Sequence, residues 1–255
     1  MRLAAQAGLA VMALTDHDSI GGVAEAREAG DKYGIRVIAG CEFSVQGDWG
    51  EVHLLGYFLP DDDSRLTGEL TRLRDLRVER GRAMVRAIQT LGLPLDQEDV
   101  DRAAGGGAVG RPHVARALIA RKVVRSIDEA FDRLLGRGRP AYVGKVLPGL
   151  AEICALIRTV GGVSSLAHPK DRATRQTLLS LQAMGLDGVE VLHPSHSGPV
   201  RAQIDRLAQE LGLLRTGGSD SHGEQSAGGS HNVIGGERIP MAWVEAAETL
   251  ARSRR

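Results

Sequence analysis

Histidine and carboxylate residues follow short apolar runs at two separated places in this sequence. Asp16, His17 and Asp18 come directly after the predicted strand 10–15, and Asp220 and His222 come after the predicted strand 213–217. In extended geometry the side chains of residues 220 and 222 would point the same way and offer two ligands from one strand end. Imidazole and carboxylate together suit Mn²⁺, Fe²⁺ or Zn²⁺. The pattern therefore predicts metal-ion chemistry.

Four further residues of the same types extend this pattern. Glu42 follows the apolar run 37–41, and His168 and His193 each follow another such run, while His53 lies inside one. An ionised glutamate at the end of an apolar run needs a partner, which a metal ion would supply. A single histidine is more commonly a surface or core residue. Several histidines at the carboxyl ends of predicted strands favour one shared site.

Nucleophilic and cysteine-based chemistry is less well supported. Ser219 and Ser221 lie beside Asp220 and His222, but packing all four residues into one strand end disfavours a hydroxyl nucleophile. The two cysteines, Cys41 and Cys154, are far apart, so they form neither a Cys-x-x-Cys zinc site nor a disulfide framework. We interpret Cys41 as a small buried strand residue. Any metal ion here must therefore be bound by imidazole and carboxylate.

The charge balance limits the partners. The chain has 32 basic and 32 acidic residues, which argues against coating of long nucleic acids, and no binding to duplex DNA is expected. Residues 65–139 nevertheless carry 16 basic and 10 acidic residues. This excess suits an anionic substrate, although arginines that solvate exposed helices explain it as well. No apolar run approaches the roughly 20 residues of a membrane span, and no signal peptide is evident, so we expect a soluble, cytoplasmic protein.

Apolar periodicity predicts alternating strands and helices in the first and last parts of the chain. The predicted strands are 10–15, 36–43, 52–58, 163–167, 188–192 and 213–217, and the predicted helices are 23–33, 150–159, one that ends at residue 184, and 199–211. Such alternation is typical of an α/β fold with a parallel sheet, in which the strand carboxyl ends meet at one edge. A barrel would gather them at one mouth.

Between these parts, the strand pattern is replaced by helical spacing. We predict an all-helical insertion at 64–145 within a discontinuous α/β domain at 1–63 and 146–255. Pro112 is placed to begin a helix, so Arg111 and His113 would lie at a helix N-terminus that favours phosphate. An ordinary N-terminal capping region is the alternative. Arg77, Arg80 and Lys145 are weaker candidates for substrate binding.

The ordered motifs resemble those of the polymerase and histidinol phosphatase (PHP) superfamily. The motifs are Thr15-Asp16-His17-Asp18, Gly40-Cys41-Glu42, His53-Leu54-Leu55-Gly56-Tyr57, Ala167-His168-Pro169 and Gly218-Ser219-Asp220-Ser221-His222. In the insertion, residues 110–116 and 138–143 resemble the subgroup that hydrolyses nucleoside 3′,5′-bisphosphates and trims short RNA from the 5′ end.

The resemblance implies a distorted (β/α)7 barrel, similar to a TIM barrel, with up to three divalent ions. The matching ligand positions are His17, Glu42, His53, His168, Asp220 and His222; of these, His17, Glu42, Asp220 and His222 are expected to be catalytic. Asp16, Asp18 and His193 would support the ligands. In the family, a strand with a His-x-His pair precedes the Asp-His-Asp motif, whereas residues 1–14 contain no histidine or aspartate. We therefore expect a barrel that lacks its first strand and exposes unpaired strand edges.

The resemblance implies a phosphoester hydrolase in which metal-activated hydroxide attacks phosphorus. The expected substrate is a nucleoside 3′,5′-bisphosphate or short RNA. One alternative is a truncated, catalytically impaired remnant that binds metal and a phosphorylated ligand, and another is a sugar or histidinol phosphatase. His193 and His196 are candidates for a general acid or for outer groups of the site, whereas His231, in a Gly/Ser-rich stretch, is expected to be incidental.

Overall fold

The computed structural model describes residues 1–105, 109–222 and 233–255, so His231 lies outside the described residues. In chain order the elements are α1 (Arg2–Gln6), β1 (Val11–Leu14), α2 (Val23–Tyr33), β2 (Arg36–Gly47), β3 (Gly50–Tyr57), α3 (Ser64–Thr90), α4 (Gln97–Ala104), α5 (Arg111–Ala120), α6 (Ile127–Ala130), α7 (Leu150–Thr159), β4 (Val163–Leu166), α8 (Arg175–Ala183), β5 (Gly188–Leu192), α9 (Gly198–Leu211), β6 (Leu214–Gly217) and α10 (Met241–Arg252). The chain is thus an α/β protein, as its periodicity predicts.

The described strands form one mixed sheet in the order β1-β2-β3-β4-β5-β6. β1 pairs parallel to β2, and β4, β5 and β6 are parallel neighbours, but β3 is antiparallel to both β2 and β4. The expectation of a parallel sheet is therefore wrong for β3. The physical reason is that β2 runs on to Gly47 and returns at Gly50, a connection too short for the crossover that parallel neighbours need.

Glu42 lies inside β2, paired with Leu55, and not at the end of a strand as its apolar run suggested. Two residues earlier, the backbone is tightly enclosed. A Cβ at Gly40 would lie 2.7 Å from Thr15 Cγ2 and 2.8 Å from the Gly56 carbonyl oxygen. Glycine at position 40 thus lets β1, β2 and β3 approach closely just before the glutamate.

The chain divides into two compact units, Met1–Thr67 with Leu147–Arg255, and Gly68–Val146. In the first unit, the core contains Phe43, Leu54, Ile153 and Leu166, which are all fully buried. The C-terminus is attached to the same unit because Arg254 donates to the half-buried Asp187. Among the described residues, no helix is long and apolar enough to cross a membrane.

The second unit is helical, and its described part has its own apolar core. Met84 and Ile88 from α3, Leu118 from α5 and Leu135 are fully buried there. Ser126 caps α6 through its hydroxyl, which accepts from the Glu129 N–H at 3.1 Å. The Glu129 carboxylate in turn accepts from the Arg125 N–H at 2.8 Å, so two backbone N–H groups at the start of α6 are satisfied.

Candidate metal centre

The residues that follow β1 continue its pairing with β2 and so bring His17 beside Glu42. Asp18 N–H donates to the Glu42 carbonyl at 3.0 Å, and Glu42 N–H donates to the Asp16 carbonyl at 3.1 Å. Asp18 has a φ of 49°, and its carboxylate accepts from the Ser44 N–H at 2.8 Å. Asp18 therefore stabilises this turn and fixes the backbone position of His17. The Asp16 side chain, in contrast, is exposed.

Glu42 lies at the centre of a group of histidines. Its carboxylate is 2.7 Å from His53 Nδ1, 3.3 Å from His168 Nε2 and 3.5 Å from His17 Nδ1. The ligand atoms of His17, Glu42 and His53 all lie within 4.8 Å of one another. Glu42 is only 6% exposed, so this carboxylate needs a positive partner.

The pKa values show how the group balances its charge without a metal ion. Burial disfavours an ionised Glu42, but hydrogen bonds from His168 and His53 outweigh burial and hold its pKa well below the usual range. Burial also opposes charging of His53, but Glu42 and Glu51 raise its pKa to about 9. Because metal ligands must be deprotonated, a divalent ion would replace these protons. The donor set and spacing fit such an ion.

His168 reaches this group through an unusual backbone conformation. Ala167 N–H donates to the His53 carbonyl at 3.0 Å, which extends the β3–β4 pairing by one residue. His168 then has a φ of 29°, in a region that residues other than glycine rarely adopt. Its backbone N–H donates to Glu190 Oε2 at 2.7 Å. The turn aims the imidazole at Glu42 and His53.

The end of β6 supplies Asp220 and His222, in a geometry that differs from the predicted extended one. Asp220 has a φ of 49°, and His222 Nδ1 lies 2.9 Å from the Asp220 carbonyl oxygen and 3.7 Å from its Oδ1. The His222 ring is 6.0 Å from that of His17. The left-handed turn, rather than strand alternation, therefore brings these two residues to the site.

His193 lies beside Asp220 and is almost fully buried. Ser195 N–H donates to His193 Nδ1 at 3.1 Å, so the neutral ring carries its proton on Nε2. That nitrogen is 3.5 Å from Asp220 Oδ2. Burial opposes ionisation of Asp220, but the contact with His193 keeps its pKa below the usual value. His193 Nε2 thus faces the carboxylate of Asp220.

Glu190 was missed from the sequence, although a charged residue inside the apolar strand β5 is a signal that could have identified it. It is 4% exposed, and burial raises its pKa to about 8. Together with Glu42, His168 and Asp220, it lines a cavity of about 820 Å³. The cavity also borders β1 and β6, the two end strands of the described sheet.

The substrate-binding candidates lie in the helical unit. The Arg111 guanidinium lies 5.4 Å from the Phe131 ring centre and 5.7 Å from that of Tyr142. His113 Nδ1 accepts from the Gly110 N–H at 3.0 Å, so this ring caps α5, and burial together with Arg116 lowers its pKa. Arg80 donates to the Val143 carbonyl at 2.9 Å.

The remaining two candidates also lie in this unit. Arg77 is half-buried on α3, and Lys145 is exposed after the last helix of the unit.

The mixed α/β fold gathers imidazoles around a buried carboxylate, a donor set that could hold a metal ion. The comparisons with known proteins then identify the family. The chain belongs to the PHP domain family, whose model matches residues 1–137. It is accordingly a phosphoester hydrolase.

Three relatives agree with this assignment. The chain is 33% identical to the 3′,5′-nucleoside bisphosphate phosphatase of Chromobacterium violaceum, over 86% of this chain and 79% of that protein. It is 28% identical to the 5′-3′ exoribonuclease of Haemophilus influenzae, over 95% of this chain and 84% of that protein. A solved structure of a candidate metal-dependent phosphoesterase from Bifidobacterium adolescentis matches with a TM-score of 0.80, at 28% identity, over 98% of this chain and 90% of that one.

Proposed function

We propose that this protein removes a phosphate from nucleoside 3′,5′-bisphosphates and trims short RNA from its 5′ end. The observation that carries the proposal is the contact of one buried carboxylate, Glu42, with three imidazoles from three separate parts of the chain. The phosphatase and exoribonuclease activities of the relatives support the choice of substrate.

In this proposal His17, Glu42, His53, His168, Asp220 and His222 hold the divalent ions, up to three in number, of which Mn²⁺, Fe²⁺ and Zn²⁺ suit the donors. When bound, such ions supply a nucleophile near neutral pH and offset charge on phosphoryl oxygens. Glu42 and Asp220 bring the negative charge that the ions require. His193 and Asp18 hold the ligands in place.

The finer architecture belongs to the same proposal. We infer that the strands curve as a distorted barrel, because β1 and β6 border one cavity although they occupy opposite ends of the described sheet order. The substrate phosphate binds Arg111 and the N-terminus of α5, with Arg77, Arg80, His113 and Lys145 near it in the same unit. Residues 64–145 would thus serve as the substrate-binding insertion.

A panel of substrates tests the proposal. The metal-stripped chain is reconstituted with Mn²⁺ and incubated with adenosine 3′,5′-bisphosphate, adenosine 5′-monophosphate, 5′-phosphorylated RNA trimers and histidinol phosphate. We expect phosphate release from the bisphosphate, shortening of the RNA, and little reaction with the other two compounds. Hydrolysis of histidinol phosphate without reaction of the bisphosphate would establish the sugar or histidinol phosphatase alternative instead.

A second candidate is a protein that binds metal and a phosphorylated ligand with little turnover. It is favoured by the number of closely spaced donors: within the described ranges, one group of three, His17, Glu42 and His53, meets the 4.8 Å spacing. Metal analysis distinguishes the two candidates. About three ions per chain with turnover supports the enzyme, whereas a single tightly bound ion without turnover supports the binding protein.

A further inference from the structure

Two backbone N–H groups in the loop after β4 are bound by side chains from β5 and the loop that follows it. His168 N–H donates to Glu190 Oε2 at 2.7 Å, and Lys170 N–H donates to His196 Nε2 at 3.3 Å. Both His168 and Lys170 have positive φ, 29° and 55°. The surrounding structure must hold such conformations in place, because neither residue adopts them readily.

The position of Glu190 follows from the sheet. Leu166 in β4 pairs with Val189 in β5, so Glu190 is placed beside the first residues beyond β4. The pairing of β5 with β6 is irregular directly after Glu190, where the register shifts before Leu192. Irregularities of this kind re-aim side chains next to functional sites. The carboxylate thus meets the His168 N–H.

The contact between His196 and the Lys170 N–H fixes which nitrogen of the His196 ring carries the proton. His196 is 3% exposed, and its Nδ1 lies 2.9 Å from the Val191 carbonyl oxygen, to which it must donate. Its Nε2 is therefore the acceptor for Lys170 N–H. Arg201 donates to the carbonyls of both His193 and His196, which holds the loop after β5.

A buried glutamate between Val189 and Val191 is costly unless its interaction is needed. Glu190 provides an acceptor for the backbone N–H of His168, whose ring contacts Glu42 and His53.

We propose that Glu190 and His196 are positioning residues that hold the left-handed backbone conformations of His168 and Lys170 and thereby aim the His168 imidazole into the metal centre. This proposal rests on the proposed function, in which His168 is a metal ligand. Neither residue needs to touch a metal ion or substrate. Their effect is transmitted through the backbone of residues 168 and 170.

A matched pair of substitutions at position 190 tests the first contact. Glu190→Gln keeps an oxygen acceptor and the side-chain length, whereas Glu190→Met keeps the approximate volume and removes the acceptor. We expect Glu190→Met to weaken Mn²⁺ binding by about 10- to 100-fold, the range seen for outer-shell partners of metal ligands. Glu190→Gln should stay within about threefold of the native protein because it preserves the acceptor.

His168→Ala provides the background that separates positioning from general destabilisation. If Glu190 acts through His168, Glu190→Met should cause no further loss of Mn²⁺ affinity once His168 has been removed. An equal further loss in that background would overturn the proposal. Equal weakening by the Gln and Met variants would also overturn it, because the acceptor oxygen that Gln keeps would then not matter.

His196→Ala keeps the test decisive should Glu190→Met fail to fold. We expect a smaller loss of Mn²⁺ affinity, which again disappears in the His168→Ala background, and unchanged affinity would contradict the second contact. All these measurements use Mn²⁺ binding alone. If the proposed substrate is wrong, the native chain will still bind Mn²⁺ normally but will release no phosphate from the nucleotide. That result is therefore distinguishable from a failure of the positioning proposal.

Discussion

The two units of this chain bury different kinds of side chain. In the first unit Glu42, Glu190, His193 and His196 are all at most 6% exposed. In the described part of the helical unit, Asp99 is the one charged residue in the buried class, and Arg121 and the Asp96 N–H satisfy it. The first unit buries several ionisable side chains around one site, whereas the described part of the second is stabilised mainly by apolar packing. Substitutions in the two units should therefore affect different properties.

The largest effect is expected at the central carboxylate. Glu42→Gln removes the charge that three histidines share, so we predict that Mn²⁺-dependent phosphate release falls by about 1000-fold, roughly 4 kcal/mol.

Glu51→Gln is the matched control for this substitution. Glu51 lies 3.7 Å from His53 Nε2 and is much more exposed than Glu42, so its loss should matter far less. Comparable losses from both substitutions would show that the overall negative charge, and not the position of Glu42, controls the reaction.

Leu118→Ala tests the helical unit. This side chain is fully buried, and its truncation should lower the free energy of unfolding by about 2 to 5 kcal/mol through lost burial and a cavity. Urea denaturation measures this change. The kcat of the folded fraction should stay within about twofold of the native value, because a core position of this kind contributes to packing and not to the reaction. A large loss of kcat in fully folded protein would contradict the assignment of stability to one unit and activity to the other.

Arg254→Met tests a charge in the first unit that serves stability. Burial opposes ionisation of Asp187, but Arg254 and Ser164 donate to it and keep its pKa below the usual value. We predict a loss of about 2 kcal/mol at pH 7. A folded-state pKa below the unfolded value stabilises the protein above about pH 4, and this stabilisation disappears as the pH falls through the folded-state pKa.

The difference between native and variant protein in urea denaturation should therefore shrink toward pH 3. Arg252→Met, at an exposed position two residues before Arg254, should show little change at either pH. A difference that grows on acidification would contradict the assignment to Asp187.

The smallest effect is expected at Arg111. If its guanidinium binds a substrate phosphate, Arg111→Met should raise KM for the bisphosphate by about tenfold, roughly 1.4 kcal/mol, with a smaller change in kcat. Arg116→Met removes an exposed positive charge from the same helix and should leave KM unchanged. An equal rise in KM for both variants would indicate a general effect of charge.

Much of the strand and helix pattern could be predicted because it depends on local periodicity. The predicted strand 188–192 and helix 23–33 coincide with β5 and α2. The direction of β3 was missed, because apolar runs carry no direction. The two residues between Gly47 and Gly50 were the available signal for a hairpin.

The site was predictable in residue type but not in geometry. Strand ends collect ligands, so His17 and His168 could be proposed from sequence. The positive φ values of His168 and Asp220 could not, since they depend on contacts with distant residues such as Glu190. For Glu190 the charge inside an apolar strand was a signal, but its contact could not be predicted, because its partner is a backbone N–H, which has no sequence signature.

The most direct test of a metal-dependent phosphoesterase centred on Glu42 is a titration of the metal-stripped chain with Mn²⁺ during hydrolysis of adenosine 3′,5′-bisphosphate. We predict no phosphate release in the presence of a chelator, and a saturable recovery that follows bound Mn²⁺ in the native chain and is lost in Glu42→Gln. Phosphate release that persists in the chelator, or recovery of Glu42→Gln at the same Mn²⁺ concentrations, would contradict this centre.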